Sequence, residues 1–308
     1  MSKISLAFVD ARGVPLQLAN AREILLACQS EPVNLPPLPE PLPHAVIDSH
    51  CHLDSAFEVS GLDPAEAIER AAEVGVTKIV QIGCDLAGAR FAVEAAERWD
   101  TVVAGVAIHP NDAARMRSDE LPLALAEIEQ LARHPQVRAV GETGLDHYRT
   151  RDDAGHRTQR EAFAWHIALA KTTGKTLVIH DRDAHADVLE VLDAEGVPDR
   201  VVMHCFSSDA DFARACLDRG AWLSFAGPVT FKPNGQLREA LRRTPLDRIL
   251  TETDAPYLTP VPYRGRANAS YLIPHTARFM AEVLDRELVE VCQALEQNAY
   301  DAFGGPWG

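Results

Sequence analysis

Eight short apolar runs, at 45–49, 77–83, 101–107, 137–141, 175–179, 200–203, 221–225 and 248–252, recur at regular spacing along the chain. Amphipathic segments separate them, at 64–74, 86–98, 119–133, 156–173, 183–194, 209–219 and 235–243. Two more, near 274–284 and 287–302, close the sequence. Strict alternation of strand-length and helix-length segments implies parallel strands covered by helices. Eight repeats favour a closed (β/α)8 TIM barrel over an open doubly wound sheet. Such a barrel takes about 250 residues, so 308 residues leave room for one barrel and a short N-terminal extension. We place the extension and a linker at 1–44 and the barrel domain at 45–308. Within the extension, Ile4–Val9 and Val14–Leu18 flank Asp10-Ala11-Arg12-Gly13 and predict a hairpin, and Ala21–Cys28 predicts a short helix. The stretch PVNLPPLPEPLP at 32–43 forbids helix and central strand, and predicts an extended linker or a strap on the barrel surface.

The apolar runs end in a particular set of residues. AVIDS leads to His50-Cys51-His52, VVAGVAI to His109, VRAVG to Glu142, KTLVI to His180, RVVM to His204 and RILTET to Asp254. In a (β/α)8 barrel the C-terminal strand ends share one face, where catalytic groups project. His50 and His52, two apart in extended chain, point to the same side. A lone histidine at a strand end is more often a packed structural residue than a ligand. Several of them joined by two strand-end acids are hard to explain by packing, because unpaired ionisable groups are rarely buried. Glu142 lies between Gly141 and Thr143-Gly144, where its carboxylate can offer one oxygen to each of two metals. Asp254 can bind metal or accept a proton. Glu252 faces the same side but deeper in the barrel, which makes it the weaker candidate. Mixed histidine and carboxylate ligands suit zinc, manganese or, with added waters, magnesium.

Other chemistries lack a signal. No GxGxxG or GxxxxGK[ST] follows a strand. The six cysteines form no C-x-x-C pair, which fits a reduced, cytoplasmic protein. No apolar run reaches the roughly 20 residues of a membrane span, and the first residues do not read as a signal peptide. The net charge of −15 argues against broad binding to duplex nucleic acid. A bound metal pair can still supply a local positive field for a nucleic-acid substrate. Oligomeric state leaves no trace.

The strings DSHCHLD at 48–54, AIHP at 107–110, GETGLD at 141–146, IHDRDAH at 179–185, HCFSS at 204–208, TFK at 230–232 and LTETDAPYLTP at 250–260 resemble those of the TatD-type metal-dependent deoxyribonucleases. They run in the family's order from about residue 45 to 304. The resemblance implies an amidohydrolase-type barrel with two divalent metal ions. His50, His52, Glu142 and Asp254 would hold one, and Glu142, His180 and His204 the other, with Asp254 and Glu142 as the catalytic carboxylates. It also implies that His109 faces substrate or supports the site, and that Arg182 and Ser207 contact phosphate. Two departures stand out. Arg264-Gly265-Arg266-Ala267-Asn268-Ala269-Ser270 replaces an Asn-Glu-Pro-like string, and His166 lies where many relatives carry glutamine.

The expected activity is hydrolysis of DNA phosphodiesters, at single strands or 3′ ends, by a metal-activated water. The same site chemistry also serves an ester, lactone or aminoacyl-tRNA hydrolase. A non-enzymatic scaffold would have shed ligand residues, and none is lost. Further phosphate contacts are expected from Lys232 and from Arg264 and Arg266 on the loop after the eighth strand.

Overall fold

A computed structural model describes residues Leu35–Gly308. The hairpin and helix expected within 1–30 lie outside the described residues. Eight parallel strands run in the order β1 to β8: Val46–Cys51, Val76–Gly83, Val102–Val106, Val137–Asp146, Thr176–Arg182, Val201–Met203, Trp222–Phe225 and Ile249–Thr251. Helices connect them, and the fold is a (β/α)8 TIM barrel. The ring closes just beyond β8, where Asp254 N–H donates to the His50 carbonyl at 2.9 Å and His52 N–H to the Ala255 carbonyl at 3.0 Å. Buried Asp48 reinforces the seam by accepting from Thr253 N–H at 3.0 Å and Thr253 Oγ1 at 2.6 Å.

Local signals account for the helix boundaries. Asp63, Asp85, Asp152 and Asp209 each accept a backbone N–H at a helix N-terminus, satisfying donors that the helix itself leaves open. Gly61 and Gly174 end their helices in the left-handed conformation. Two short helices were not expected, α1 at Leu53–Ser60 and α4 at Pro110–Ala113; α2 at Pro64–Glu73 and α3 at Leu86–Arg98 lie between them. His52 and His109 stand at the N-termini of the two unexpected helices.

Alternation along the strands divides the core. Ile47, Val80, Ile82, Val103, Ala139, Val178, Val202, Trp222 and Leu250 fill the barrel interior, and Phe303 and Trp307 pack with them. The opposite strand faces pack against the helices. Period-2 geometry then carries the interior face upward, from Val178 to His180, from Val202 to His204 and from Leu250 to Glu252. β1 and β4 depart from it. Asp48 and Cys51 pair with Ile79 and Gln81, and Val140 and Thr143 pair with Leu177 and Ile179. Each segment carries one residue more than its partner. Such a bulge re-aims side chains, and here it turns His50, His52 and Glu142 toward the others.

The proline-rich stretch lies along the barrel as a strap from Leu35. Buried Tyr271 donates its hydroxyl to the Pro36 carbonyl at 2.7 Å, Arg278 reaches the Glu40 and Pro41 carbonyls, and Leu42 N–H bonds Val74. The strap supplies no side chain to the site cavity. No helix among the described residues is long and apolar enough to cross a membrane.

Candidate metal centre

The strand ends surround a cavity of 670 Å3 at the C-terminal mouth, within the roughly 300–1,000 Å3 usual for ligand sites. Glu142 stands at its centre, 4% exposed. Its two oxygens face different groups. Oε2 lies 3.5 Å from His50 Nε2 and 4.0 Å from His52 Nε2. Oε1 lies 2.7 Å from His180 Nδ1, 3.2 Å from His204 Nε2 and 3.5 Å from His109 Nε2. Asp254 Oδ1 joins the first group, 3.4 Å from His52 Nε2 and 3.9 Å from His50 Nε2. The six side chains His50, His52, Glu142, His180, His204 and Asp254 thus converge from β1, β4, β5 and the segments following β6 and β8.

Neighbouring groups set which nitrogen each histidine presents. His52 Nδ1 donates to the Ile82 carbonyl at 2.9 Å, so Nε2 is the nitrogen turned toward Asp254 and Glu142. His180 Nε2 rests on Asp146 Oδ2 at 3.2 Å, leaving Nδ1 toward Glu142. Asp146 is itself held by Asn111 Nδ2 at 2.8 Å and Arg149 N–H at 2.7 Å. His109 differs. Its Nδ1 accepts from Asn111 N–H at 3.1 Å, so Nε2 carries the proton and presents a donor, not a lone pair, to Glu142.

Charge balance in this cluster is met by protons. Burial works against the Glu142 anion, but His204, His109 and His180 outweigh it and hold the carboxyl well below its usual range. Burial also disfavours the imidazolium of His52, yet the hydrogen bond and charge of Asp254, with Glu142 behind them, lift it to about 9. At His180 burial is likewise overcome, by Asp146 and Glu142, again to about 9. His50 is pushed down by burial and by the neighbouring charge of His204. Among the described residues no lysine or arginine meets the Glu142 carboxylate. Buried carboxylates ringed by imidazoles, with histidine lone pairs aimed inward, are a donor set that suits divalent cations, which would displace those protons.

Glu252 is completely buried. Its Oε1 accepts from Cys205 N–H at 2.7 Å and lies 2.9 Å from His204 Nδ1, so its charge faces one edge of the imidazole while Nε2 faces Glu142. Deep in the barrel, it stands behind a candidate ligand. Losing such a partner typically costs about 10- to 100-fold in metal affinity. Glu252→Gln is therefore expected to weaken metal binding by that factor, read by competition titration with a chromophoric chelator. An unaffected affinity would remove this role.

The remaining expected residues divide. His109, Arg182 and Ser207 line the cavity. Lys232, Arg264 and Arg266 do not. Lys232 is exposed, Arg264 covers the Phe231 ring at 4.5 Å and Arg266 the Tyr263 ring at 5.5 Å. Their expected place at the phosphate is corrected accordingly. Asp146, Arg149, Cys84 and Tyr257, which sequence reasoning passed over, do line the cavity. Asp146 was within reach, because it ends the quoted GETGLD string. Cys84 places its thiol 3.4 Å from Glu142 Oε2. His166 is a buried structural bridge: Ile108 N–H donates to its Nε2 at 3.3 Å, leaving Nδ1–H for Thr143 Oγ1 at 3.0 Å. Burial lowers it to about 4, which keeps it neutral. Asn268, in the divergent loop, donates to the Thr253 and Tyr257 carbonyls at 2.9 and 2.6 Å and so fastens the loop that bears Asp254.

The TatD related DNase family matches residues 47–304. The chain belongs to the TatD family. It is 49% identical over 267 residues to the uncharacterized metal-dependent hydrolase TatD of Mycobacterium tuberculosis, covering 85% of this chain and 99% of that protein. It is 38% identical over 260 residues to the uncharacterized metal-dependent hydrolase YabD of Bacillus subtilis, covering 84% and 98%. Among solved structures, the TatD homolog YJJV of Escherichia coli superposes with a TM-score of 0.76 at 26% identity, covering 85% of this chain and 98% of that one. The protein is a metal-dependent hydrolase of the TatD family, and its histidine and carboxylate clusters are able to bind metal.

Proposed function

We propose that this TatD-family hydrolase is a deoxyribonuclease that cleaves DNA phosphodiesters at single strands or 3′ ends. The observation that carries the reading is the division of Glu142, whose two oxygens face separate histidine groups. In this reading His50, His52, Glu142 and Asp254 hold one divalent cation, and Glu142, His180 and His204 the other. Bound there, divalent cations would supply Lewis acidity to the scissile phosphate and would acidify a water. Zinc, manganese and magnesium all remain compatible with the donor set.

The chain's own groups do the rest. Asp254, held as a carboxylate by His52 and His204 against the effect of burial, accepts a hydrogen bond from the attacking water and takes its proton. The water oxygen bonds to phosphorus as the bond to the leaving alcohol oxygen breaks, and that oxygen takes a proton from solvent. Arg182, at the end of β5, offsets charge on the phosphoryl oxygens. Its guanidinium lies over the Tyr148 ring at 4.2 Å, which holds it at the cavity wall. His109 Nε2–H offers a further donor.

Single-turnover cleavage of a short 3′-labelled oligonucleotide, with bound metal quantified in parallel, tests the reading. Arg182→Ala is expected to slow cleavage by roughly 100-fold at unchanged metal content, and DNA binding should weaken as salt is added. Wild-type-like cleavage would take Arg182 out of the mechanism. Hydrolysis of carboxyl esters or aminoacyl-tRNA by the wild type, with no oligonucleotide cleavage under any divalent metal, would instead assign a carbonyl hydrolase.

A further inference from the structure

Two large aromatic side chains stand exposed on loops that carry the site, Tyr257 at 55% and Tyr148 at 48%. Tyr148 lies beneath Arg182. Tyr257 has no such partner among the described residues, and it lines the cavity three residues after Asp254. Its backbone is fixed: the Tyr257 N–H donates to the Asp254 carbonyl at 2.9 Å, and Asn268 binds the Tyr257 carbonyl. A ring presented on a fixed backbone loses little freedom when a ligand covers it.

The barrel order sets what lies opposite. Tyr257 follows β8, and Arg149 and Arg182 lie at the ends of β4 and β5, about half a turn around the ring. Arg149 is anchored through its N–H to Asp146 and its side chain lines the cavity. Neither guanidinium pairs with a carboxylate among the described residues, unlike Arg160, which meets Asp187 at 3.6 Å. The segments after β1, β2 and β3 bring Asp54, Asp85 and Asp112 to the cavity. Asp146 and Asp181 line the arginine side, but Asp146 is taken up by Asn111, Arg149 N–H and His180, and Asp181 by His185. A phosphate backbone is repelled by the wall of Asp54, Asp85 and Asp112 and attracted to the arginine side.

We propose that Tyr257 is a base seat: the nucleobase adjoining the scissile phosphate stacks on its ring, while Arg149 and Arg182 across the mouth hold backbone phosphates. This rests on the phosphodiesterase reading above and adds a selection rule. Inside a duplex both faces of a base are covered by its neighbours, so only an unpaired, unstacked base can lie on the tyrosine. The seat admits single strands and frayed ends of any sequence, because every base offers a π-face.

The test uses the metal-loaded protein and two substrates, a single-stranded oligonucleotide and methyl p-nitrophenyl phosphate, a diester with no base. Tyr257→Ala is expected to lower kcat/KM on the oligonucleotide about 5- to 150-fold, the range that base–aromatic stacking spans, and to do so mainly through KM. The loss on the small diester should be no more than about twofold, because it offers no base to stack. Tyr257→Phe should restore most of the activity, because stacking needs the ring and not the hydroxyl. An abasic nucleotide beside the scissile phosphate should cost the wild type a similar factor and cost Tyr257→Ala nothing more. Equal losses of Tyr257→Ala on both substrates, or abasic and alanine losses that multiply, would overturn the seat alone. Failure of the wild type to hydrolyse either the oligonucleotide or the small diester under any divalent metal would overturn the phosphodiesterase reading, and the seat with it.

Discussion

Replacing Glu142 by glutamine should abolish metal-dependent hydrolysis, by about 1,000-fold or more, with uptake of both metals impaired. Glutamine keeps the side chain's size and one oxygen but removes the charge that five imidazoles share. Oε2 faces His50 and His52, and Oε1 faces His180, His204 and His109. Among the described residues no other carboxylate lies within 4 Å of histidines of both groups, so on the proposed two-cation reading the substitution reaches both positions at once. A change confined to one group, such as His180→Ala, should impair one position more than the other. Metal content by mass spectrometry or chelator titration separates the two cases. A second readout needs no activity. Glu142 helps lift His52 and His180 to about 9 in the metal-free protein, so in Glu142→Gln both should titrate at lower pH, visible in imidazole NMR shifts. A variant that binds two metals with wild-type affinity would show that Glu142 does not bridge.

The parts of this architecture legible in the sequence are those governed by short-range patterns. All eight strands fall where apolar runs occur, because a parallel strand buried on both faces must be apolar along its length. His180 and His204 were readable as inward-facing because they continue the period-2 face of Val178 and Val202. The groups harder to place depend on register. An extra residue in β1 and in β4 turns His50, His52 and Glu142 inward, and nothing in AVIDSHCH or VRAVGETG announces a bulge. Loop side chains were least legible. Arg264 and Arg266 have the right chemistry for phosphate, but they cover aromatic rings elsewhere on the surface, whereas Arg149 and Tyr257 reach the cavity. Spacing along the chain does not specify where a long flexible side chain ends. Glu252 was correctly placed deep in the barrel; its role became visible only with the Cys205 amide and the His204 ring beside it.

Gly144→Ala should be among the most damaging single changes outside the ligands, costing at least about 3 kcal/mol of stability and disturbing the position formed by Glu142, His180 and His204. Gly144 has φ +138°, a backbone conformation that L side chains rarely adopt, and a Cβ added there would lie 2.0 Å from the His180 carbonyl oxygen. The obstacle is backbone, not a flexible side chain, so the clash cannot be relieved by a rotamer change. Gly144 and His180 are partners in the β4–β5 ladder, as are Asp146 and Arg182 two residues on. Any movement that makes room therefore shifts His180 against Glu142 and Asp146 together, at a spot where the Nδ1–Oε1 distance is 2.7 Å. Gly174 provides the control. It also has positive φ, +64°, but it ends a helix with nothing within 4 Å of an added Cβ, so Gly174→Ala carries only the left-handed backbone cost of about 1–2 kcal/mol. Denaturant unfolding of the two metal-free variants gives the stability difference, and metal titration shows whether Gly144→Ala alone weakens binding. Equal destabilisation of the two variants, with metal affinity intact in both, would mean that β4 yields at Gly144 without moving His180.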